Sequence, residues 1–181
     1  GRAHPALVDW LRTHSMGGRV LVPGCGRGHD VIVLAASSAQ PTVVGLDLSP
    51  SALSEARAPS RPSKRVRWVE GDFFQPPDDL PSGGFDWIWE HTCYCAIDPA
   101  DRAMYVEAAA RALRPGGHLL GVFFLNPRDD PDPTIGPPFN TSREALDRQF
   151  DGAFEMKERR AWFRTYPGRE GREEMRLYQK R

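Results

Sequence analysis

Short apolar runs alternate with segments of helical spacing through the first two thirds of the chain. The apolar runs predict strands over residues 20–22, 42–47, 85–90 and 118–125, and alternating apolar and polar residues predict a strand over residues 65–70. The remaining segments carry apolar residues three and four positions apart, and they predict helices over residues 5–12, 31–39, 50–57 and 100–113. Because strands and helices alternate, the pattern predicts an α/β fold with a parallel sheet and helices on both of its faces.

The pattern changes after residue 125. Residues 126–140 are rich in proline and aspartate and predict a loop. The elements predicted to follow are a helix over residues 143–150 and strands over residues 154–164 and 173–180. A turn at Pro167 and Gly168 makes the two strands antiparallel. The sequence thus predicts one domain over residues 1–181, with a seven-stranded, mostly parallel sheet that ends in an antiparallel hairpin. This arrangement is similar to the Rossmann-like fold of class I methyltransferases.

Three glycines at alternate positions, Gly24, Gly26 and Gly28, separate the first strand from the next helix. Glycine lets a ligand approach the backbone closely, and the free N–H groups at a helix start point towards it. Asp47 ends the second strand about 20 residues later, where a carboxylate can bind both hydroxyls of a ribose. The pattern predicts a site for a nucleotide-type cofactor; the alternative is a tight turn in some other α/β protein.

The spacing of these glycines distinguishes between two classes of cofactor, dinucleotides and S-adenosylmethionine. A dinucleotide motif needs Gly-x-Gly-x-x-Gly or Ala, whereas here His29 stands at the place of the last residue of that motif. Gly-x-Gly-x-Gly with an acidic residue after the second strand is similar to the S-adenosylmethionine (SAM) site of class I methyltransferases. A dehydrogenase is therefore less favoured than a methyltransferase.

Polar residues follow the third and fourth strands as well, and ligands of such sheets bind outside the carboxyl ends of the strands. The Asp72 carboxylate can accept a hydrogen bond from the amino group of adenine while a neighbouring aromatic side chain packs on the adenine ring. The alternative is that Asp72 is a solvated residue of a turn. His91 and Tyr94 are candidates to face the methyl acceptor, unless His91 only caps the sheet and Tyr94 belongs to the core. The complete predicted cofactor site consists of Gly24, Cys25, Gly26, Gly28, Asp47, Leu48, Asp72, Phe73 and Glu90.

Composition and charge restrict the classes of partner and the compartment that we expect for this protein. The chain has 24 basic and 24 acidic residues, and its zero net charge disfavours a nucleic-acid partner. No apolar run in the sequence approaches the roughly 18 residues of a membrane span. The cysteines (Cys25, Cys93 and Cys95) form neither a disulfide framework nor a zinc pattern, and no metal is predicted. These features predict a protein of the reducing cytoplasm with a small-molecule acceptor.

Four stretches of sequence resemble the thiopurine S-methyltransferase family, and within it the thiol/halide methyltransferase branch. They are Pro-Gly-Cys-Gly-Arg-Gly-His-Asp at 23–30, Phe-Asp-Trp-Ile-Trp-Glu-His-Thr-Cys-Tyr-Cys-Ala-Ile at 85–97, Leu-Arg-Pro-Gly-Gly at 113–117 and Gly-Pro-Pro-Phe at 136–139. The resemblance covers nearly the whole chain. It implies SAM-dependent methyl transfer to a small soft nucleophile such as a thiol, hydrosulfide or halide, with S-adenosylhomocysteine (SAH) as the product.

The resemblance also implies roles for single residues. Gly24, Asp47, Asp72 and Phe73 would bind the cofactor. His91 stands where thiopurine enzymes carry an arginine near the acceptor, which disfavours a thiopurine substrate, and we expect it to shape the acceptor site as a possible base. Tyr94 would form a lid over the acceptor.

Members of this family carry an N-terminal segment that folds over SAM and the acceptor. Residues 1–5 resemble the point just after that segment, so we expect a lid segment upstream of residue 1. Three other functions stay open at this stage. They are an O- or N-methyltransferase acting on a small metabolite, a dehydrogenase, and a SAM-binding module without catalysis.

Overall fold

Seven strands form one sheet. They are β1 (Arg19–Pro23), β2 (Thr42–Asp47), β3 (Val66–Glu70), β4 (Phe85–His91), β5 (Leu113–Phe124), β6 (Phe154–Arg160) and β7 (Glu173–Lys180). Their spatial order is β3-β2-β1-β4-β5-β7-β6. The first five strands are parallel, and β7 runs antiparallel to β5 and β6. The predicted mixed sheet with a C-terminal hairpin is thus confirmed in a computed structural model that describes residues 1–58, 63–80, 82–130, 132 and 134–181.

Helices cover both faces of this sheet. They are α1 (Pro5–Thr13), α2 (His29–Ala35), α3 (Pro50–Arg57), α4 (Arg102–Ala112) and α5 (Arg143–Asp151). Successive residues of β1 show why two cores form, since side chains of a strand alternate between the faces. Val20 and Val22 pack with residues of α1 and α2, while Leu21 packs with residues of α4 and α5.

Three predicted boundaries were wrong. Helix α2 ends at Ala35 rather than at residue 39, because a turn closed by the hydrogen bond from Gln40 N–H to the Ser37 carbonyl follows it. Strand β5 begins at Leu113 rather than at residue 118, because Leu113 already pairs with Phe85 of β4. The Pro-Gly-Gly sequence lies where the register between β4 and β5 shifts, and it does not end the strand. Strand β6 ends at Arg160 instead of residue 164.

The other predicted segments agree with the structure to within a few residues. Helix α3 begins as its sequence predicts, with the Ser49 hydroxyl accepting a hydrogen bond from Ala52 N–H and Pro50 at the first helical position. The predicted loop over residues 126–140 includes Pro131 and Pro133, which lie outside the described residues. Every helix in the described part of the chain is too short or too polar to cross a lipid bilayer.

Candidate active site

Two cavities open at the edge of the sheet where β1, β2, β3 and β4 end. The first, here called the β2–β3 cavity, has a volume of about 320 Å³ and is lined by Gly24, Leu46, Asp47, Leu48, Gly71, Asp72, Phe73, Phe74, Thr92, Cys93, Ala96 and Ile97. The second, here called the glycine-turn cavity, has about 580 Å³ and is lined by Gly1, Arg2, Val22, Gly24, Cys25, Gly26, Arg27, His29, Asp30, His91, Thr92 and Tyr166. Gly24 and Thr92 line both, so the cavities are two halves of one cleft.

The glycine turn is shaped by its surroundings. Gly24 and Gly28 both have left-handed φ angles, of +59° and +73°, which glycine adopts without strain. A Cβ at Gly28 would lie 2.2 Å from the Trp68 ring, so this glycine is required for packing. A Cβ at Gly26 would meet nothing within 4 Å. Gly26 therefore presents bare backbone to the cleft, as a cofactor turn must.

Asp47 connects the end of β2 to the glycine turn. Its carboxylate accepts hydrogen bonds from the backbone N–H groups of Gly26, at 2.7 Å, and of Ser49, at 2.9 Å. The turn is further tied to β2 by the Cys25 N–H, which donates to the Leu46 carbonyl at 3.0 Å. Sequence reasoning predicted that Asp47 and the turn lie together, and the structure brings them into direct contact.

Residues after β2 and β3 form the β2–β3 cavity. Leu48 is 70% exposed at its rim, where its side chain presents apolar surface to the cavity. The Asp72 carboxylate accepts a hydrogen bond from Phe74 N–H at 2.8 Å. Phe73 is 8% exposed and its ring packs against Tyr105, so Phe73 forms the floor of the cavity. Phe74 is only half-buried in this cavity, although it was not among the residues predicted to bind the cofactor.

His91 is held by a carboxylate from another element. Its Nδ1 lies 2.8 Å from Asp30 Oδ2, which also accepts a hydrogen bond from Trp89 Nε1 at 2.8 Å. Burial raises the pKa of Asp30, but the hydrogen bonds and charge of its neighbours, His91 first, outweigh burial and bring that pKa below its usual value. The ionised carboxylate makes Nδ1 of His91 the donor. Among the described residues, Nε2 of His91 is buried and has no partner.

A second buried network lies beside His91. His4 Nε2 lies 3.1 Å from Glu173 Oε2, and the His4 ring contacts the rings of His91 and Tyr166 at centroid distances of 4.6 and 4.9 Å. Tyr166 in turn donates a hydrogen bond of 2.6 Å to the carbonyl of Arg2. This wall of the cleft therefore comes from the segment before α1 and the segment before β7.

The ligand atoms of His4, His91 and Glu173 lie within 4.8 Å of one another, a spacing compatible with a metal ion. A histidine that binds a metal through Nε2 donates its Nδ1 proton to an acceptor. Nδ1 of His4 instead accepts a hydrogen bond from Ala6 N–H at 3.2 Å, which leaves the proton on Nε2, facing Glu173. The geometry therefore supports a hydrogen-bonded network at this place rather than a metal centre.

Two predicted site residues lie in the core. The Glu90 carboxylate is 1% exposed and accepts hydrogen bonds from the Tyr94 N–H and the Tyr105 hydroxyl. Desolvation raises its pKa. Glu90 thus stabilises the turn after β4 through its side chain, and the expected contact between the backbone of this segment and the cofactor stays a prediction.

The lid role predicted for Tyr94 does not fit the structure either. Its ring is 1% exposed, with the rings of Tyr105 and Phe123 at 5.5 Å and the Arg102 guanidinium 4.7 Å above it. The Tyr94 hydroxyl donates a hydrogen bond to Gln149. An alternating pattern cannot show which of two neighbouring side chains points inward, and here the turn after β4 directs Tyr94 into the core.

The three thiols near the cleft are protonated. Desolvation raises the pKa of Cys25 and of Cys95 to about 12, and it raises that of Cys93 well above the usual value. Because a thiolate is the reactive form, none of them is a nucleophile at neutral pH. Cys25 and Cys93 instead serve as small side chains where the cleft is narrow, since a Cβ at Gly24 would lie 3.0 Å from the Cys93 sulfur.

Thr92 has a left-handed φ angle of +64°, which is rare for a β-branched residue and costs of order 1–3 kcal/mol. Its hydroxyl donates a hydrogen bond of 2.7 Å to the His91 carbonyl. Strain of this kind is found mainly at functional sites, and Thr92 lies where the two cavities join. The sequence prediction did not include it.

Comparison with known proteins agrees with this geometry. The sequence profile described as Thiopurine S-methyltransferase (TPMT) matches residues 1–167. The chain belongs to the thiopurine S-methyltransferase family. Thiocyanate methyltransferase 1 of Brassica oleracea is 38% identical over 147 residues, which cover 78% of this chain and 61% of that protein. The probable thiol methyltransferase 2 of Arabidopsis thaliana is 34% identical over 146 residues, with the same coverage.

The chain spans about three fifths of the length of these curated relatives of the thiopurine S-methyltransferase family. Solved structures support the fold. A SAM-dependent methyltransferase of Methanosarcina mazei superposes with a TM-score of 0.77 and 18% identity, covering 99% of both chains. A 1,6-didemethyltoxoflavin-N1-methyltransferase of Burkholderia thailandensis, solved with bound SAH, has a TM-score of 0.71 and 18% identity and covers 97% of this chain and 76% of that one. The predicted class I methyltransferase fold is thus confirmed.

Proposed function

We propose that this protein is a SAM-dependent methyltransferase that transfers a methyl group to a small soft nucleophile: a thiol, hydrosulfide or a halide. The observation that carries the proposal is the two-part cleft. Its β2–β3 half lies beside Asp47, its glycine-turn half lies beside His91, and the halves meet at Gly24 and Thr92. A ligand with a nucleoside part and an amino-acid part fits such a cleft. The thiocyanate and thiol methyltransferases among the relatives support the acceptor class.

The residues present suit this cofactor. Asp47 keeps lone pairs free for ribose hydroxyls beyond the two backbone hydrogen bonds that it accepts. Leu48 and Phe74 offer apolar surface to an adenine ring, and Asp72 offers a carboxylate to its amino group. The open space above Gly26 admits the methionyl part. When bound, SAM supplies a methyl group that its sulfonium charge makes electrophilic.

Catalysis by the chain's own residues is then mainly positioning and exclusion of water. Thr92 and Gly24 form the junction at which donor and acceptor must meet. His91 lines the acceptor side. Its Nε2 is buried and has no partner among the described residues, so it can accept the proton of a neutral acceptor that reaches it. Arg2 also lines this half, and its charge favours an anionic acceptor. Arg27, which lines it too, is paired with Glu55 at 2.7 Å.

Two further features belong to this proposal. We propose that residues 1–181 act as one domain, because strands from residue 19 to residue 180 join a single sheet. The three cysteines, all free thiols, suit the reducing cytoplasm.

A headspace assay tests the function. The protein is incubated with SAM and, separately, with iodide, hydrosulfide and 2-mercaptoethanol, and SAH binding is measured by calorimetry. Methyl iodide or a methylated sulfide is the expected product. SAH binding without any of these products would contradict the proposed acceptor class, and turnover of a phenol or an amine would then favour an O- or N-methyltransferase. Tighter binding of NADH than of SAH would contradict the cofactor.

A further inference from the structure

Asp30 is a buried carboxylate that lines the acceptor side of the cleft. It stands in the first turn of α2, directly after the glycine turn, and its side chain is 12% exposed. Its Oδ2 accepts hydrogen bonds from His91 Nδ1 and Trp89 Nε1, and its Oδ1 accepts one of 2.8 Å from His4 N–H. Three fixed partners therefore hold the carboxylate in one orientation towards His91.

This orientation decides where the proton of His91 lies. An ionised carboxylate can only accept hydrogen bonds, so Nδ1 must carry a proton. In the neutral ring the lone pair is then on Nε2, the nitrogen that has no partner among the described residues. Three rings limit rotation of the imidazole: His4 at 4.6 Å, Tyr166 at 5.9 Å and Trp89 at 6.4 Å between centroids.

The other titratable groups around His91 leave Asp30 as the carboxylate that acts on it directly. Desolvation lowers the pKa of His4, which is therefore neutral at pH 7, and desolvation raises the pKa of Tyr166, which keeps its proton. Glu173 is engaged by His4 and by Arg169 at 3.0 Å. Glu90 lies behind His91 in the core, bonded to Tyr105 and Tyr94.

We propose that Asp30 is a positioning residue for the methylation of thiols, because it fixes the tautomer of His91 whose Nε2 accepts the thiol proton. This role rests on the function proposed above. In the step, the S–H bond of the thiol breaks and its proton moves to Nε2. The thiol sulfur forms a bond to the methyl carbon, and the bond between that carbon and the SAM sulfur breaks, with its electron pair left on the sulfur of SAH.

The proposal separates two kinds of acceptor. The thiol of a cysteine side chain has a pKa of about 8.5, and simple alkyl thiols are weaker acids still, so a small organic thiol is mainly protonated at pH 7 and benefits from a base. Iodide carries no proton and needs none. A role of Asp30 in folding or in SAM binding would affect both acceptors equally, whereas a role through His91 affects the thiol alone.

The experiment compares kcat/KM for 2-mercaptoethanol and for iodide in the wild type, Asp30→Asn, His91→Gln and the double variant. We expect Asp30→Asn to lower the thiol-to-iodide ratio about 100-fold at pH 7, within the usual range for loss of a general base. The deficit with the thiol shrinks as the pH rises through the pKa of 2-mercaptoethanol, where the thiolate forms by itself. We expect the double variant to show the same thiol-to-iodide ratio of kcat/KM as His91→Gln, because Asp30 acts through His91 and has no further effect once His91 is replaced.

Asp86→Asn is the matched control, since Asp86 also accepts hydrogen bonds from a backbone N–H (Arg19, 2.8 Å) and a side-chain N–H (Arg114 Nε, 2.7 Å) but lies at the opposite end of β4. It leaves the ratio unchanged. An equal loss with thiol and iodide in Asp30→Asn would overturn the role of Asp30 alone. Absence of turnover with both acceptors in the wild type would overturn the proposed function, and this role with it.

A measurement on the wild type covers the case in which Asp30→Asn does not fold. The ¹⁵N chemical shifts of ¹⁵N-histidine-labelled protein distinguish the two tautomers, with His91→Gln to assign the signal. We expect His91 to carry its proton on Nδ1 in the neutral form. A proton on Nε2 would overturn the proposal.

Discussion

The carboxylate of Asp47 accepts a hydrogen bond from the backbone N–H of Gly26 at 2.7 Å. The end of β2 thereby holds the turn that follows β1, and the same carboxylate accepts a second hydrogen bond from Ser49 N–H at the start of α3. One side chain thus fixes two of the loops that form the cleft, and it does so from the position expected to bind a ribose.

We predict that Asp47→Asn weakens SAH binding at least tenfold, because an amide has one acceptor oxygen and turns an N–H group towards one of two backbone donors. Isothermal titration calorimetry measures the affinity. Asp86→Asn is a suitable control, since Asp86 also accepts from a backbone N–H and lies away from the cleft. Unchanged affinity in Asp47→Asn would contradict the cofactor site.

Alanine at two glycines of the turn should have different effects. Gly28→Ala places a Cβ 2.2 Å from the Trp68 ring, so we expect a loss of about 2 kcal/mol or more in the free energy of unfolding. In Gly26→Ala the new Cβ meets no atom within 4 Å, so the change costs only the strain of the left-handed φ angle, about 1 kcal/mol. The new methyl group obstructs the cleft, however. We therefore expect the ratio of lost SAH affinity to lost stability to be larger for Gly26→Ala than for Gly28→Ala.

Urea unfolding and calorimetry measure both glycine effects. Gly152→Ala is the control, because Gly152 has a φ of −65° and open space around it; we expect it to change stability by less than about 0.5 kcal/mol. Equal stability of Gly26→Ala and Gly28→Ala would show that Trp68 does not constrain the turn.

Tyr94→Phe tests whether Tyr94 belongs to the core or to the site. The change removes the hydrogen bond to Gln149 and leaves the ring contacts, so we expect a loss of about 1 kcal/mol in stability and a kcat/KM within about threefold of the wild type. His91→Ala, by comparison, should lower thiol turnover strongly. A large loss of kcat/KM in Tyr94→Phe with normal stability would restore the lid role.

Glu90 predicts a pH dependence of stability. Because burial raises its pKa above the usual 4.5, the folded protein holds this proton at pH values where the unfolded chain has lost it. The contribution of Glu90 to stability is therefore complete below pH 4.5 and is lost as the pH rises through the raised pKa of the folded state.

Glu90→Gln removes this dependence, since its amide can donate to the Tyr105 oxygen while its carbonyl accepts from Tyr94 N–H. We expect the stability of Glu90→Gln relative to the wild type to increase from pH 5 to pH 9 in urea unfolding. Glu107→Gln, which changes an exposed residue of α4, should not reproduce this trend. A relative stability that stays constant over this pH range would show that Glu90 is ionised in the folded protein.

The parts of the site that could be predicted are those that lie close together in sequence or are placed by the sheet. Gly24, Gly26, Asp47 and Asp72 follow strands directly, and because parallel strands end at one edge, their proximity follows from the topology. The same holds for the existence and order of most elements, since the apolar pattern shows them directly.

The parts that could not be predicted depend on direction or on distant segments. Glu90 near the end of β4 and Tyr94 in the turn after it both belong to the motif at 85–97, yet both side chains lie in the core. Arg2 and Tyr166 are 164 positions apart and meet only through tertiary structure. In the sequence, Asp30 has the features of an ordinary acidic residue at a helix start. Only the structure shows that it lies beside His91.

The hydrogen bond between the Tyr166 hydroxyl and the Arg2 carbonyl has a consequence for how this protein can diversify. The β2–β3 half of the cleft is built by strand ends whose residues also secure the sheet, whereas one wall of the glycine-turn half is built by the segment before α1 and the segment before β7, joined at this contact. Substitutions in those two segments can alter acceptor preference and leave the β2–β3 half intact. Residues near Arg2 and Tyr166 are accordingly the positions at which a directed-evolution library would change selectivity at the least cost in stability.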